Sequence, residues 1–328
     1  MSMSFNLHGS VRSVVEGVER ARRSEELGYE GMYLADSQMN TPDPFQVLAL
    51  AAGCTQTLRL GTAVTNMVYR DPTILACSAA TLNEVSNGRV VLGLGTGDGP
   101  IYSLGRKATR MAAFEEGLRV IRELVHGRAI RVSTGKEVPL RHGQFPVAIY
   151  LSVEGPRGLE LAGRLADGVI LGNGFDLNVL SWARERIAKG AASVGRSLDD
   201  IDIMAAGMMY VSGNGNEARD RVRCRLANRA HHNFRFTMET VPTKELPGVQ
   251  RFMEGFDITK PIEERVPPEL VTEYLLQRFS IAGTPAECVE RVRSLEAAGV
   301  KRLMVTPPGS GYDDLMERWA TEVMGHFG

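Results

Sequence analysis

The stretch from 58 to 99 limits the fold more than any other part of the chain. Residues 58–65 (Leu-Arg-Leu-Gly-Thr-Ala-Val-Thr) are a short apolar run with β-branched members, as a buried strand requires. Asp71 stands where it can cap a helix, and Pro72 suits the first turn. Ile74, Leu75, Ala79, Leu82 and Val85 then recur at helical spacing. Val90-Val-Leu-Gly-Leu-Gly-Thr-Gly-Asp reads as a second buried strand entering a loop that glycine makes easy. Strand, helix and strand in this order make a βαβ unit with parallel strands. Both strand ends open into polar or glycine-rich loops on one side, and in a parallel barrel that side carries the active site.

The rest of the chain repeats the alternation. Strands are expected at 4–8, 31–35, 147–152, 167–172, 203–211 and 302–306. Helical spacing lies between them, as in Val11, Val14, Val15, Val18 and Ala21, or Phe114, Leu118, Ile121 and Val125. With the opening unit this makes eight strands, which predicts a (β/α)8 TIM barrel filling the 328 residues as a single domain. No Gly-x-Gly-x-x-Gly follows the first strand, which argues against an open dinucleotide-binding sheet. One segment, 232–268, breaks the pattern before the last strand. It and its lead-in hold His231-His232, four of the eleven phenylalanines (Phe234, Phe236, Phe252, Phe256) and five prolines, and it is expected to be an irregular lid or insertion. After it, Thr284-Pro-Ala-Glu287 has the form of a capping box.

A formal charge of −1 gives no electrostatic reason to expect nucleic acid or a membrane surface as partner. The four cysteines sit singly in apolar helical patterns, as reduced core thiols do. His231-His232 has no carboxylate or cysteine at ligand spacing, so no metal is expected. There is neither a signal-peptide pattern nor a bilayer-length apolar run, and a cytoplasmic location is expected.

Residues able to carry chemistry gather at the strand ends. His8 has an ordinary pKa in the range for proton transfer, although a lone histidine is more often structural. Asp36 serves equally as an acid–base group or as a cap, with Gln38 as a nearby donor. Ser152-Val-Glu-Gly-Pro-Arg157 leaves a strand and enters a helix. Its backbone N–H groups either converge on an anion or merely start a helix. Gly95-Thr-Gly-Asp98 is a ligand-contacting loop or a tight turn.

Four motifs together resemble a known family. They are Val64-Thr-Asn-Met-Val-Tyr-Arg-Asp-Pro, Ala80-Thr-Leu-Asn-Glu-Val-Ser-Asn-Gly-Arg-Val-Val-Leu-Gly-Leu-Gly-Thr-Gly-Asp, Gly155-Pro-Arg-Gly-Leu-Glu-Leu-Ala-Gly-Arg-Leu-Ala-Asp-Gly-Val-Ile-Leu and Ala282-Gly-Thr-Pro-Ala-Glu. The chain resembles the luciferase-like flavin- and deazaflavin-dependent oxidoreductases, especially the methylenetetrahydromethanopterin reductase branch. That resemblance implies a barrel holding coenzyme F-420, or alternatively FMN, at the strand C-termini. It further implies a cis peptide at Ala63–Val64 behind the ring, with Thr65, Asn66, Gly97 and Asp98 near the cofactor. Ser152, Glu154, Gly155, Pro156 and Arg157 would then cradle its phosphate, and Arg106 or Lys107 would meet the anionic tail of F-420. Related deazaflavin enzymes pair an Asp with a His where this chain has Asp36-Ser37, which weakens any acid–base role carried over to Asp36.

The expected activity is hydride transfer between F-420 and a small organic substrate, with His8, Asp36 or Gln38 as proton donor. Oxygen insertion with FMNH2 and O2 is the alternative, and a flavin-binding barrel without catalysis is the reading of another class. Dimers are common in this family, and the early helices offer surface for a homodimer.

Overall fold

The computed structural model describes residues 3–309 and 311–327. Eight parallel strands close into a barrel: β1 (Ser4–Gly9), β2 (Gly31–Leu34), β3 (Arg59–Thr62), β4 (Val90–Gly95), β5 (Ala148–Ser152), β6 (Gly168–Leu171), β7 (Asp202–Val211) and β8 (Arg302–Thr306). Each pairs in parallel with the next, and β8 returns to β1 with Phe5 opposite Leu303. The expected (β/α)8 barrel is therefore present. An additional strand, Ser280–Gly283, lies beside the far half of β7, where Met208–Val211 have run beyond β6. Ser-Ile-Ala-Gly is too short a run to carry much strand signal, and only the overhang of β7 creates a place for it.

Helices α1 (Val14–Glu26), α2 (Pro44–Cys54), α3 (Pro72–Val85), α4 (Met111–Val125), α5 (Pro156–Leu165), α6 (Leu177–Ala192) and α7 (Gly215–Thr237) follow strands β1 to β7 in turn. Asp71 caps α3 as its position predicts, accepting from the Thr73 amide at 2.8 Å. The capping box at Thr284 and Glu287 starts α10 (Pro285–Ala297), after α8 (Leu246–Gly255) and α9 (Glu273–Phe279). The apolar stripe of α3 is only partly inside. Leu75, Ala79 and Leu82 are buried, whereas Ile74 and Val85 are more than half exposed.

Segment 232–268 differs from expectation. Helix α7 continues without interruption to Thr237, so His231, His232, Phe234 and Phe236 are helical. The following residues fold into a 3-10 turn, α8 and a second 3-10 turn, with an irregular stretch at 256–267 between the last two. Phe234, Val249, Phe252, Val266, Leu275 and Phe279 build a second apolar core on the outer face of α7. Phe234, Phe252 and Phe256 thus cluster with each other, giving α7 a packed back, while Phe236 stays outside this core.

Strand β3 departs from regular pairing at one point. Gly61 is opposite Val91 and Thr65 is opposite Leu94, so four residues advance on one strand against three on its neighbour. The extra residue is a bulge. The Thr62 hydroxyl replaces lost ladder bonds, donating to the Gly93 carbonyl at 2.8 Å and accepting from its amide at 3.0 Å. A methyl on Gly95 would lie 2.8 Å from Val64 Cγ2, so the bulge needs glycine beside it. Ala63–Val64 is a cis peptide, as the resemblance implies.

The opposite, N-terminal end of the barrel is closed by charge. Glu30 pairs with Arg302 and Arg59, and Asp202 pairs with Arg302 at 2.8 Å and Arg59 at 3.8 Å. The mouth at the strand C-termini is left as the open end.

Candidate active site

A cavity of about 780 Å3 opens at the C-terminal ends of the strands, the position expected for a barrel active site. His8, Asp36, Ala63, Val64, Asn66, Gly97, Asp98, Ser152, Glu154, Gly155, Pro156 and Arg157 all line it. Three loops placed by β3, β4 and β5 meet there because their strands are neighbours in the sheet. Two expected residues lie elsewhere. Gln38 is exposed and outside the cavity, in a turn that continues past Asp36 toward α2. Thr65 is fully buried behind the wall, donating to Asp36 at 2.7 Å.

Asp36 is not a free acid. Arg70 grips both its oxygens, at 2.8 and 3.2 Å, and reaches Asp43 at 2.8 Å with the same guanidinium. A buried carboxylate held by a forked arginine and a hydroxyl is a brace. It ties the end of β2 to the loop after β3.

His8 lines the cavity, with Nδ1 3.0 Å from the Thr306 hydroxyl. Burial, reinforced by the nearby Arg229 charge, lowers its pKa to about 4. The near-neutral value expected for proton transfer does not survive folding. At neutral pH His8 is an uncharged imidazole held beside Thr306 at the end of β8.

The β5 loop has the features of an anion cradle. Gly155 precedes α5 with no side chain capping the helix, and the N-terminal amides face the cavity side where Arg157 stands exposed. Glu154 is buried, receiving Arg229 at 2.6 Å and Asn233 at 3.1 Å. It is a wall post rather than a ligand donor. Gly97 holds φ +106°, and a methyl there would collide with Ile101. The β4 loop therefore turns back in a conformation open to glycine.

Sequence reasoning missed the residues of α7. Arg225, Arg229, His232 and Phe236 lie on one face of this helix and line the cavity, with Arg235 beside them. His232 stands 3.6 Å from Asp98 and 3.9 Å from Glu154, linking the β4 and β5 loops to the helix. Arg106 and Lys107, expected near an anionic tail, do not line the cavity; Arg106 instead lies over the Tyr69 ring. The spacing 225, 229, 232, 236 was readable as a stripe, but α7 carries arginines on every side, and nothing local marks this face.

Among the described residues no group of three or more metal-ligating side chains occurs, and no helix is long and apolar enough to cross a membrane.

Several known proteins are similar over nearly the whole chain. A 5,10-methylenetetrahydromethanopterin reductase of Archaeoglobus fulgidus is 28% identical over 304 residues, covering 87% of each chain. An F420-dependent glucose-6-phosphate dehydrogenase of Beutenbergia cavernae is 28% identical over 324 residues, covering 92% of this chain and 90% of its own. Among solved structures, the coenzyme F420 dependent tetrahydromethanopterin reductase from Methanopyrus kandleri superposes with a TM-score of 0.76 at 24% identity, covering both chains fully. A long-chain alkane monooxygenase gives 0.69 at 17% identity, covering 99% of this chain and 91% of that one, and shares the fold. The family described as luciferase-like monooxygenase matches residues 4–302, and the chain belongs to that family.

Proposed function

We propose that this protein is an oxidoreductase that binds coenzyme F-420 and uses it to exchange a hydride with a small organic substrate. The observation carrying this reading is the shape and charge of one cavity. An apolar wall at Ala63, Val64 and Gly95 suits a flat ring, and an uncapped helix start lies at its other side. Arg157 and Arg235 flank that start with no carboxylate partner among the described residues. One phosphate needs fewer donors than this, and the surplus favours a cofactor with a longer anionic tail over FMN. The names of the similar reductase and dehydrogenase point the same way. The FMN-dependent oxygen-inserting alternative rests on structural neighbours such as the FMN complex of a Baeyer–Villiger monooxygenase, which share only the fold.

Bound F-420 would supply the hydride acceptor or donor. The chain's own part is positional. The bulge would back the ring, the α5 N-terminus and Arg157 would hold the phosphate, and α7 would cover the mouth and exclude water. Neutral His8, fixed by Thr306, offers a hydrogen bond near the reacting face without adding charge. Asp36 keeps the β2 end rigid through Arg70.

The test is titration of cofactor-free protein with F-420 and with FMN at matched salt, followed by intrinsic fluorescence. F-420 should bind at micromolar or lower concentration and weaken about tenfold or more in Arg157→Ala, the scale of one charge-assisted bond. Tight FMN binding with no F-420 affinity defeats the proposal.

A homodimer through α1–α3 also belongs to this reading. Val15, Leu50 and Ile74 are 78%, 56% and 55% exposed on these adjacent helices. Ile74→Asp with Leu50→Asp should shift sedimentation to the monomer mass; an unchanged dimer would move the interface elsewhere. The four unpaired cysteines suit a reducing, cytoplasmic setting.

A further inference from the structure

The cavity has two positive poles, and the cradle accounts for one. Helix α7 crosses the mouth in a definite direction. Its Phe236 end lies against Gly155 of the β5 loop, Arg229 lies against Gly172 after β6, and Arg225 lies against Gly309 after β8. At about 1.5 Å rise per residue, Arg225 and Phe236 are roughly 16 Å apart along the helix. A phosphate at Gly155–Arg157 is therefore out of reach of Arg225.

The partners of the cavity cations differ as well. Arg229 is taken by Glu154. Arg225 is half-buried, lines the cavity, and has no carboxylate or hydrogen-bond partner among the described residues. Gly309 leaves room for its guanidinium, since a methyl there would come within 3.1 Å of it. Below it the walls come from β7, β8 and β1: Met208, Met304, Thr306 and His8. This is the side of the mouth away from the β5 cradle, and apart from His8 and Thr306 it is apolar. A partly desolvated guanidinium facing an apolar chamber favours an anion delivered by whatever fills that chamber.

We infer that Arg225 is a specificity-determining residue and that the substrate carries an anionic group, a carboxylate or phosphate, on an apolar body. The anion is held under Arg225 while the apolar part lies on Met208 and Met304. This rests on the proposed function only in assigning the cradle to the cofactor. The forked guanidinium binds two oxygens of either anion.

Phenyl phosphate, benzoate and uncharged benzyl alcohol serve as probes, titrated by calorimetry into protein saturated with F-420. Phenyl phosphate and benzoate should bind more tightly than benzyl alcohol. Arg225→Gln should weaken both anions at least tenfold and leave benzyl alcohol within twofold, with Arg225→Lys in between. F-420 affinity should stay within twofold in Arg225→Gln while falling in Arg157→Ala. Equal anion affinities in wild type and Arg225→Gln, or no preference for anions, would overturn the inference. Loss of F-420 affinity in Arg225→Gln would assign this arginine to the cofactor tail and overturn it too. If the protein binds no F-420, the proposed function fails separately. The anion titrations are then run without cofactor on Arg225→Gln and Arg157→Ala, and anion loss confined to the Arg157 variant still refutes the role of Arg225. Thermal melts of both Arg225 variants verify folding; if Arg225→Gln does not fold, Arg225→Lys alone decides, by weakened or unchanged anion binding.

Discussion

Asp36→Asn separates a brace from a proton donor. The carboxylate is 5% exposed and accepts from Thr65 at 2.7 Å and from Arg70 at 2.8 and 3.2 Å. An amide can still accept from Thr65, so the change removes chiefly the charge-assisted fork. Hydrogen bonds to charged groups contribute about 1.5–3 kcal/mol. Arg70 is 21% exposed and keeps Asp43 at 2.8 Å, which lowers the expected loss to about 1–2 kcal/mol. For a chain of this length that corresponds to a fall of roughly 1.5–3 °C in the unfolding midpoint. Denaturant unfolding of Asp36→Asn, Arg70→Met and the double variant yields the coupling directly. It should reach about 1 kcal/mol, because the two groups act as a unit. Turnover should fall only as far as the loosened β2 end lowers cofactor or substrate affinity, visible mainly in KM. Coupling below about 0.3 kcal/mol, with an unshifted melt and a collapse in kcat, would refute the brace and restore Asp36 as the acid.

Two further expectations concern pH and the closed end of the barrel. The His8 pKa is lowered by burial to about 4, so the unfolded chain binds a proton that the folded one refuses. Stability should therefore rise with pH between about 4 and 6.5, by an amount on the order of 2 kcal/mol, and His8→Gln should flatten that rise. An unchanged slope in His8→Gln would show that another group carries it. Burial tends to raise the Glu30 pKa, but the bonds from Arg302 and Ser4 outweigh it and hold the carboxyl below its ordinary value. Its stabilisation is thus present above the unfolded pKa and is lost as pH falls through the folded one. Glu30→Gln should cost about 1–3 kcal/mol at pH 7, less at pH 3, by denaturant unfolding. An equal cost at both pH values would refute the ionic account.

What the sequence determined by itself is local. Buried runs such as 90–95, the cap at Asp71 and the box at Thr284–Glu287 depend on a few neighbouring residues, so strand order and the barrel could be read directly. The resemblance to the luciferase-like family supplied the cis peptide at Ala63–Val64 and the reading of the β5 loop as a phosphate cradle, neither of which periodicity alone would single out. The tertiary structure decided the charges. Asp36 became a brace only when Arg70 arrived from the next loop, and His8 lost its neutral-range pKa only when the cavity enclosed it. Arg225, Arg229 and His232 face the cavity because the second core of Phe234, Phe252 and Phe279 fixes the rotation of α7. A helix bearing arginines on every side has no face of its own. The apolar contacts behind it, distant in sequence, select which side meets the ligand, and a pattern of 3.6 residues per turn does not contain that information.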